Sequence, residues 1–223
     1  MIDFRVRDKN VKISYPGKMK NIFFASITLI LCAFSSAHGQ SQYQDSPAHK
    51  IGFHISTIGE SDIIYSEDIV GASSFIGQSF YSIGINYISP LNNWLELETG
   101  IEYSDFKFKE RPSPNPNIDY PSYTTHVQLL EIPVQLRASF LKYLYAHAGL
   151  LFDIDISGSN SIDDQTGFGG ITGIGAKYDF DFGGSLFINP YIKTHSLLTF
   201  SQDGSYQQQI IESSIRVGVS YNF

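Results

Sequence analysis

From residue 49 onward, apolar and polar positions alternate with a period of two, in segments bounded by Gly, Pro, Asn, Asp and Ser. Such a period sorts side chains onto the two faces of a strand, and it predicts eight strands. Ile51, Phe53, Ile55 and Thr57 alternate with Gly52, His54 and Ser56, and Tyr81, Ile83, Ile85 and Tyr87 alternate with Ser82, Gly84 and Asn86. The third segment sets Leu95, Leu97, Thr99, Ile101 and Tyr103 against Glu96, Glu98, Gly100 and Glu102. The fourth sets Leu130, Ile132, Val134, Leu136 and Ala138 against Glu131, Pro133, Gln135 and Arg137. Leu144 to Ile154 oppose Tyr145, His147, Gly149, Leu151 and Asp153, and Thr172 to Tyr178 oppose Gly173, Gly175 and Lys177. The last two place Leu186, Ile188, Pro190 and Ile192 opposite Asn189, Tyr191, Lys193 and His195, then Ile211 to Phe223 opposite Glu212, Ser214, Arg216, Gly218 and Ser220. Pro133 and Pro190 each remove a ladder donor, which predicts bulges or strand ends there.

The connections sort by length. Short ones are expected at Ser89–Asn93, Phe140–Lys142 and Asp181–Gly184, and longer ones at Gly59–Ile76, Lys107–Tyr123, Ser157–Thr166 and Ser201–Gln208. They alternate long and short along the chain. A soluble sandwich also alternates apolar with polar residues, but it has no reason to sort its loops. An even strand number, apolar faces edged with Tyr and Phe, and charged or glycine-rich opposite faces fit a barrel in lipid. A closed barrel also satisfies every backbone hydrogen bond where no water can. The expectation is an all-β fold: an eight-stranded antiparallel transmembrane up-and-down β-barrel over residues 49–223. Its polar row would fill the lumen, and both termini would lie on the short-turn, periplasmic side of an outer membrane.

The N-terminal stretch predicts export. Lys18 and Lys20 precede an apolar run from Ile22 to Phe34, and Ser35, Ser36, Ala37 and Gly39 follow. This is the order of a cleaved signal peptide, here residues 19–39 with cleavage after Gly39. About thirteen apolar residues are too few for a membrane helix. Met19 then reads as the true start, residues 1–18 as translated upstream sequence, and 40–48 as a periplasmic segment. Leu31 before Cys32 is too bulky for lipoprotein processing.

Composition narrows the chemistry. Aromatic residues make up 14% of the 223, with 14 Tyr and 17 Phe, which suits β structure. A formal charge of −7 argues against nucleic acid as a partner, since phosphate binding needs a basic patch and none is visible. Cys32, the single cysteine, falls within the expected signal peptide, so the mature chain would have no disulfide, thiolate metal ligand or thiol nucleophile.

Read by alternation, the lumen collects Glu96, Glu98, Glu102, Glu131, Asp153, Asp155 and Glu212, with Arg137, Lys177, Lys193 and Arg216. His54, His147 and His195 face the same way. An eight-stranded barrel is only wide enough for side chains to fill it, so these charges are expected to pair into a polar plug. Asp153 and Asp155 with His195 could be read as a hydrolase of the aspartate–histidine type, but no nucleophile signature accompanies them. Asp163-Asp164 and Glu67-Asp68 lack the ordered spacing of a calcium loop and read as solvated loop charge. The glycines from Gly167 to Gly175 lack the Lys-Ser/Thr of a phosphate loop and fit a tightly curved strand. No catalytic, cofactor or metal set is assigned. Tyr221 and Phe223, closing an alternating strand, look like the assembly signal of outer-membrane barrels.

The chain resembles the PorT-like family of outer-membrane β-barrel proteins. Leu130-Glu131-Ile132-Pro133-Val134, Tyr145-Ala146-His147-Ala148-Gly149 and Arg216-Val217-Gly218-Val219-Ser220-Tyr221-Asn222-Phe223 carry the resemblance, with the first the most distinctive. The resemblance implies an eight-stranded outer-membrane barrel, and some members take part in protein secretion. The expected function is structural or surface-binding, without catalysis; an accessory role in secretion is the alternative. Expected partners are outer-membrane lipid, the barrel-assembly machinery, and secretion or surface partners.

Overall fold

A computed structural model of the chain describes residues 48–65, 74–111, 122–158, 161–200 and 208–223. The signal peptide, the upstream stretch, Cys32, residues 40–47, Glu67-Asp68 and the prolines from 112 to 121 lie outside them. The eight strands are β1 (Lys50–Tyr65), β2 (Ser74–Pro90), β3 (Leu95–Arg111), β4 (Tyr123–Ser139), β5 (Leu144–Asp155), β6 (Gly167–Asp179), β7 (Gly184–Thr199) and β8 (Gln208–Asn222). Each pairs antiparallel with its neighbour in the chain, and β1 pairs with β8, from Lys50↔Asn222 to Tyr65↔Gln208. The fold is thus a closed, eight-stranded up-and-down barrel. The short connections and both ends of the barrel chain gather at one rim, where the Phe223 N–H donates to the His49 carbonyl at 2.9 Å. At that rim Asn92 Oδ1 accepts from the amides of Trp94 and Leu95, and Gly183 turns with φ 90°.

The strands are longer than the pattern predicts. β1 continues to Tyr65, β2 begins at Ser74 and β3 reaches Arg111, so much of Gly59–Ile76 and part of Lys107–Tyr123 is strand. In these extensions the alternation inverts. Phe80, Phe106 and Phe108 turn inward and are buried, whereas Glu60, Asp62 and Lys107 are exposed. A membrane span needs only about 9–11 residues per strand, so the far ends stand where the outside is aqueous.

Between two aromatic levels the outward rows are apolar. Tyr81, Tyr103, Phe152, Phe168 and Phe200 mark one level, with Phe168 and Phe200 packed edge to face at 5.4 Å. Tyr87, Trp94, Tyr143, Tyr178, Phe180 and Phe182 mark the other, beside the short turns. Ile51, Phe53, Ile85, Ile101, Leu150, Ile174, Ile188 and Val219 stand exposed in the band they enclose, which carries no charged side chain on its outward rows. Ten residues separate Phe168 from Tyr178 on β6, which in a strand tilted by ~40° spans roughly 25 Å, the height of a lipid-facing band.

Neither proline makes a bulge or ends a strand. Pairing of β3 with β4 lapses between Thr99↔Val134 and Glu102↔Glu131, beside Pro133, and resumes in the same register. β6 and β7 behave likewise between Gly173↔Tyr191 and Ala176↔Ile188, beside Pro190. Loss of one donor is absorbed by a local gap in one ladder while the other ladder of each proline stays paired. The register shifts fall elsewhere, at Ser56/Ile58, Gly77/Ser79 and Phe168/Gly170.

A narrow lumen explains the inward glycines. A Cβ on Gly175 would meet the Tyr145 ring at 2.2 Å, and one on Gly173 would meet His147 Nε2 at 2.5 Å. The two large side chains lie flat across strands that have nothing there. Gly175→Val is expected to displace Tyr145 and cost about 1–3 kcal/mol, measured as a lowered urea midpoint for the detergent-folded barrel; an unchanged midpoint would show that Tyr145 can swing aside freely.

Candidate functional site

The interior is stratified along the barrel axis. Nearest the short turns, Lys50 and Asp179 pair at 3.0 Å, while Lys177 lies 3.9 Å from both Glu96 and Asp179. Next comes Arg137, which bonds Glu98 at 3.0 Å and stacks on Tyr145, its guanidinium carbon 4.1 Å from the ring centroid. Arg216 then links Glu98, at 3.7 Å, to Glu102, at 3.0 Å. Lys193 sits at the centre of the following layer, donating to Glu102 at 2.9 Å and Glu131 at 2.7 Å, with Glu212 at 3.9 Å. These partners come from β3, β4, β7 and β8, so the network ties distant parts of the wall together.

Further polar side chains fill the gaps. His147 bonds Gln135 at 2.6 Å and Asn189 at 3.1 Å, and Asn189 donates to Tyr145 Oη at 3.2 Å. Asn86 donates to Glu98 at 3.1 Å, Ser104 to Glu131 at 2.5 Å, and Tyr191 donates to Glu212. Glu102, Glu131, Asp153, Lys193, His195 and Glu212 have no solvent exposure. Charge this deep is tolerated only when paired and hydrogen-bonded.

Above the charges the lining turns apolar. Phe80, Phe106, Phe108, Val127, Leu129, Ile162 and Ile210 form one buried cluster at the end away from the short turns. Ile162 is carried in by the β5–β6 connection, whose Gln165 is buried and spans to β8. Its side-chain N–H group donates to the Gln208 carbonyl at 2.9 Å, and its amide oxygen accepts from the Ile210 N–H at 3.3 Å. Asp163 is part of this latch and not a solvated charge, since it accepts from the Gln208 amide at 3.0 Å.

The structure brings Glu96, Glu98, Glu102, Glu131, Arg137, His147, Asp153, Lys177, Lys193, His195, Glu212 and Arg216 into this interior, with His54 3.4 Å from Glu102. Asp155 does not join them. It ends β5 at the mouth, accepting from the Ser157 amide at 2.9 Å and the Gln165 amide at 3.1 Å. The two-residue spacing put it in the inward row, but that row leaves the lumen where the strand stops. Tyr221 and Phe223 stand exposed on the outer wall beside the short turns. The neutral members Asn86, Ser104, Gln135, Tyr145, Asn189 and Tyr191 were not singled out from sequence. Alternation already turned most of them inward, yet nothing in their residue type flags a site.

Asp153 and His195 do meet, Nδ1 to Oδ2 at 3.2 Å, while His195 Nε2 faces Glu212 Oε2 at 3.6 Å. A backbone irregularity aims the imidazole. Between Phe168↔Leu198 and Gly170↔Thr194, β7 advances four residues against two on β6, and Ser196 within that step has φ 53°. Positive φ at a non-glycine residue carries strain, and here His195 and Ser196 are both buried. Phe106 covers the His195 ring edge to face at 5.6 Å.

No protein-family model matches the chain, and no curated protein matches it. Among solved structures it is similar to the outer membrane protein OprG of Pseudomonas aeruginosa, with a TM-score of 0.50 and 11% identity over 79% of this chain and 96% of that one. A looser superposition, TM-score 0.34 at 11% identity, covers 91% of this chain and 98% of the translocator domain of autotransporter NalP from Neisseria meningitidis. At such identity the first likeness speaks to the fold alone, and the fold it speaks to is that of an outer-membrane β-barrel.

Proposed function

We propose that the chain is an integral outer-membrane barrel with a non-conducting lumen, serving a structural or surface-binding role. The observation that carries this reading is the filled interior: a charge ladder from Lys50 to Glu212, capped by Phe106, Phe108, Leu129 and Ile210. The uncharged outer band supports insertion in lipid, and lipid is its first partner. With the short turns and both termini in the periplasm, the longer connections would face outward and do the binding. Tyr221 and Phe223 would present the terminal strand to the barrel-assembly machinery. Asp153 and His195 are sealed from solvent, which speaks against substrate access and hence against a hydrolase.

The purified barrel in planar bilayers tests this reading. No steady current is expected at potentials up to about 100 mV, because the lumen of a barrel this narrow is occupied by side chains. A stable ohmic conductance would overturn it. An accessory role in secretion is the second reading, favoured by the PorT-like stretch Leu130–Val134 at the start of the inward Glu131 row. Deleting the gene and comparing secreted and surface-anchored proteins by mass spectrometry tests it. Loss of a defined cargo set supports secretion, and an unchanged set rules it out.

A further inference from the structure

The buried charges do not balance. Setting apart Asp105, which bonds His126 and Gln128 away from the lumen network, Glu98, Glu102, Glu131, Asp153 and Glu212 are five buried carboxylates, against the three fixed cations Arg137, Lys193 and Arg216, leaving two negative charges. The excess is not spread evenly. Arg137 and Arg216 serve Glu98 and Glu102, whereas Lys193 is divided among Glu102, Glu131 and Glu212, and Asp153 meets His195 instead of a fixed cation. In a medium of low dielectric uncompensated charge is costly, so something positive belongs at this end of the ladder.

The geometry there points to a ligand. Glu131, Asp153 and His195 each offer one donor atom, and the three atoms lie within 4.8 Å of one another. His195 Nδ1 and Asp153 Oδ2 are 3.2 Å apart, close to the roughly 3.3 Å edge of a tetrahedron with bonds of about 2.0–2.1 Å. Three fully buried atoms at this place, Asp153 Oδ1, His195 Nε2 and Glu212 Oε2, have no hydrogen bond among the described residues. We propose that Glu131, Asp153 and His195 bind one divalent metal ion of the zinc class, with Glu212 orienting the histidine.

The assignment accounts for the leftover charge and for the placing of His195 between Asp153 and Glu212. A metal on Nδ1 fixes the proton on Nε2, which then faces Glu212 Oε2 at 3.6 Å. A carboxylate on the far nitrogen of a metal-bound imidazole is the usual outer-shell arrangement. Glu131 already accepts from Ser104 and Lys193, and a carboxylate has about four lone-pair sites, so a further bond is available. A dication cancels the two leftover charges. The β7 irregularity at Ser196 supplies the backbone step that turns His195 toward β4 and β5. An ion there would rivet three strands beneath the apolar cluster, whatever the outer loops bind.

The test uses the full chain folded in detergent with zinc and then dialysed against metal-free buffer, with metal measured by plasma mass spectrometry. About one ion per barrel is expected in the parent and in His54→Gln, and less than about one tenth of that in Asp153→Asn and His195→Gln. Cobalt substitution should give the visible absorption of a four-coordinate nitrogen–oxygen site in the parent. Zinc should raise the thermal midpoint of the parent and leave that of both variants unmoved. Folding of each protein is checked by its heat-modifiable gel migration. A folded parent that retains no metal overturns the proposal and assigns the two charges to protons. Retention by both folded variants overturns it too, as adventitious binding. Should the variants fail to fold, the parent's stoichiometry and cobalt spectrum decide.

Discussion

Lys193→Met is expected to destabilise the barrel by about 3–5 kcal/mol, the cost of stranding buried charge that has lost its partner. The ammonium has no exposure and touches three carboxylates, Glu102, Glu131 and Glu212. Methionine fills much the same volume, so the loss is electrostatic and not a matter of packing. Urea unfolding of the lipid- or detergent-folded protein measures it. Glu131→Gln, which removes a charge from the acid-rich end, should cost far less. The double variant Lys193→Met/Glu131→Gln should recover part of the deficit, the coupling expected for residues within one ion-paired network. Additive effects would mean that Lys193 and Glu131 do not interact as their 2.7 Å separation implies.

Ile174→Arg should cost about 2–4 kcal/mol in bilayers, whereas Leu186→Arg should cost about 0–1. Ile174 is exposed on the outer wall and lies midway along β6, between the aromatic levels at Phe168 and Tyr178. Leu186 pairs with Tyr178 and so stands at the lower level, where an arginine can reach headgroups and water. Reversible unfolding in vesicles gives both values. The depth dependence is the informative part, because an exposed wall position on a water-soluble barrel would accept either arginine within about 0.5 kcal/mol. Equal, small effects would therefore remove the barrel from the membrane.

Legibility from sequence followed the contrast between the two sides of the wall. Where lipid lies outside and charge inside, as along Leu95–Tyr103 or Leu144–Ile154, alternation identified the strand and the face of each residue. Beyond the outer aromatic level the contrast reverses, with Phe106 and Phe108 inside and Lys107 outside. A pattern read for apolar-out residues sees a loop there, which is why the strand extensions and the apolar cap were missed. The interior partners were legible as a row but not as pairs. That Lys193 meets Glu102 and that His195 meets Asp153 depends on the stagger of eight strands, and the two-residue step in β7 has no signature in composition. Pro133 and Pro190 misled for a related reason: a closed wall has a second ladder to hold each strand when one lapses.

The seam between β1 and β8 bears on the order of events in assembly. Lys50 finds Asn222 and Tyr65 finds Gln208, so the first strand's partner is the last of the eight to be synthesised. These are contacts of the greatest sequence separation the barrel contains, and loop-closure entropy must be met before they form. The interior obeys the same schedule. Glu102 on β3 acquires Arg216 from β8 only when the wall has come round, and until then its charge faces an open edge. Insertion strand by strand would carry bare carboxylates into lipid. The barrel segment must therefore be kept unfolded until β8 has been made, and closure of the seam and neutralisation of the core become a single cooperative step.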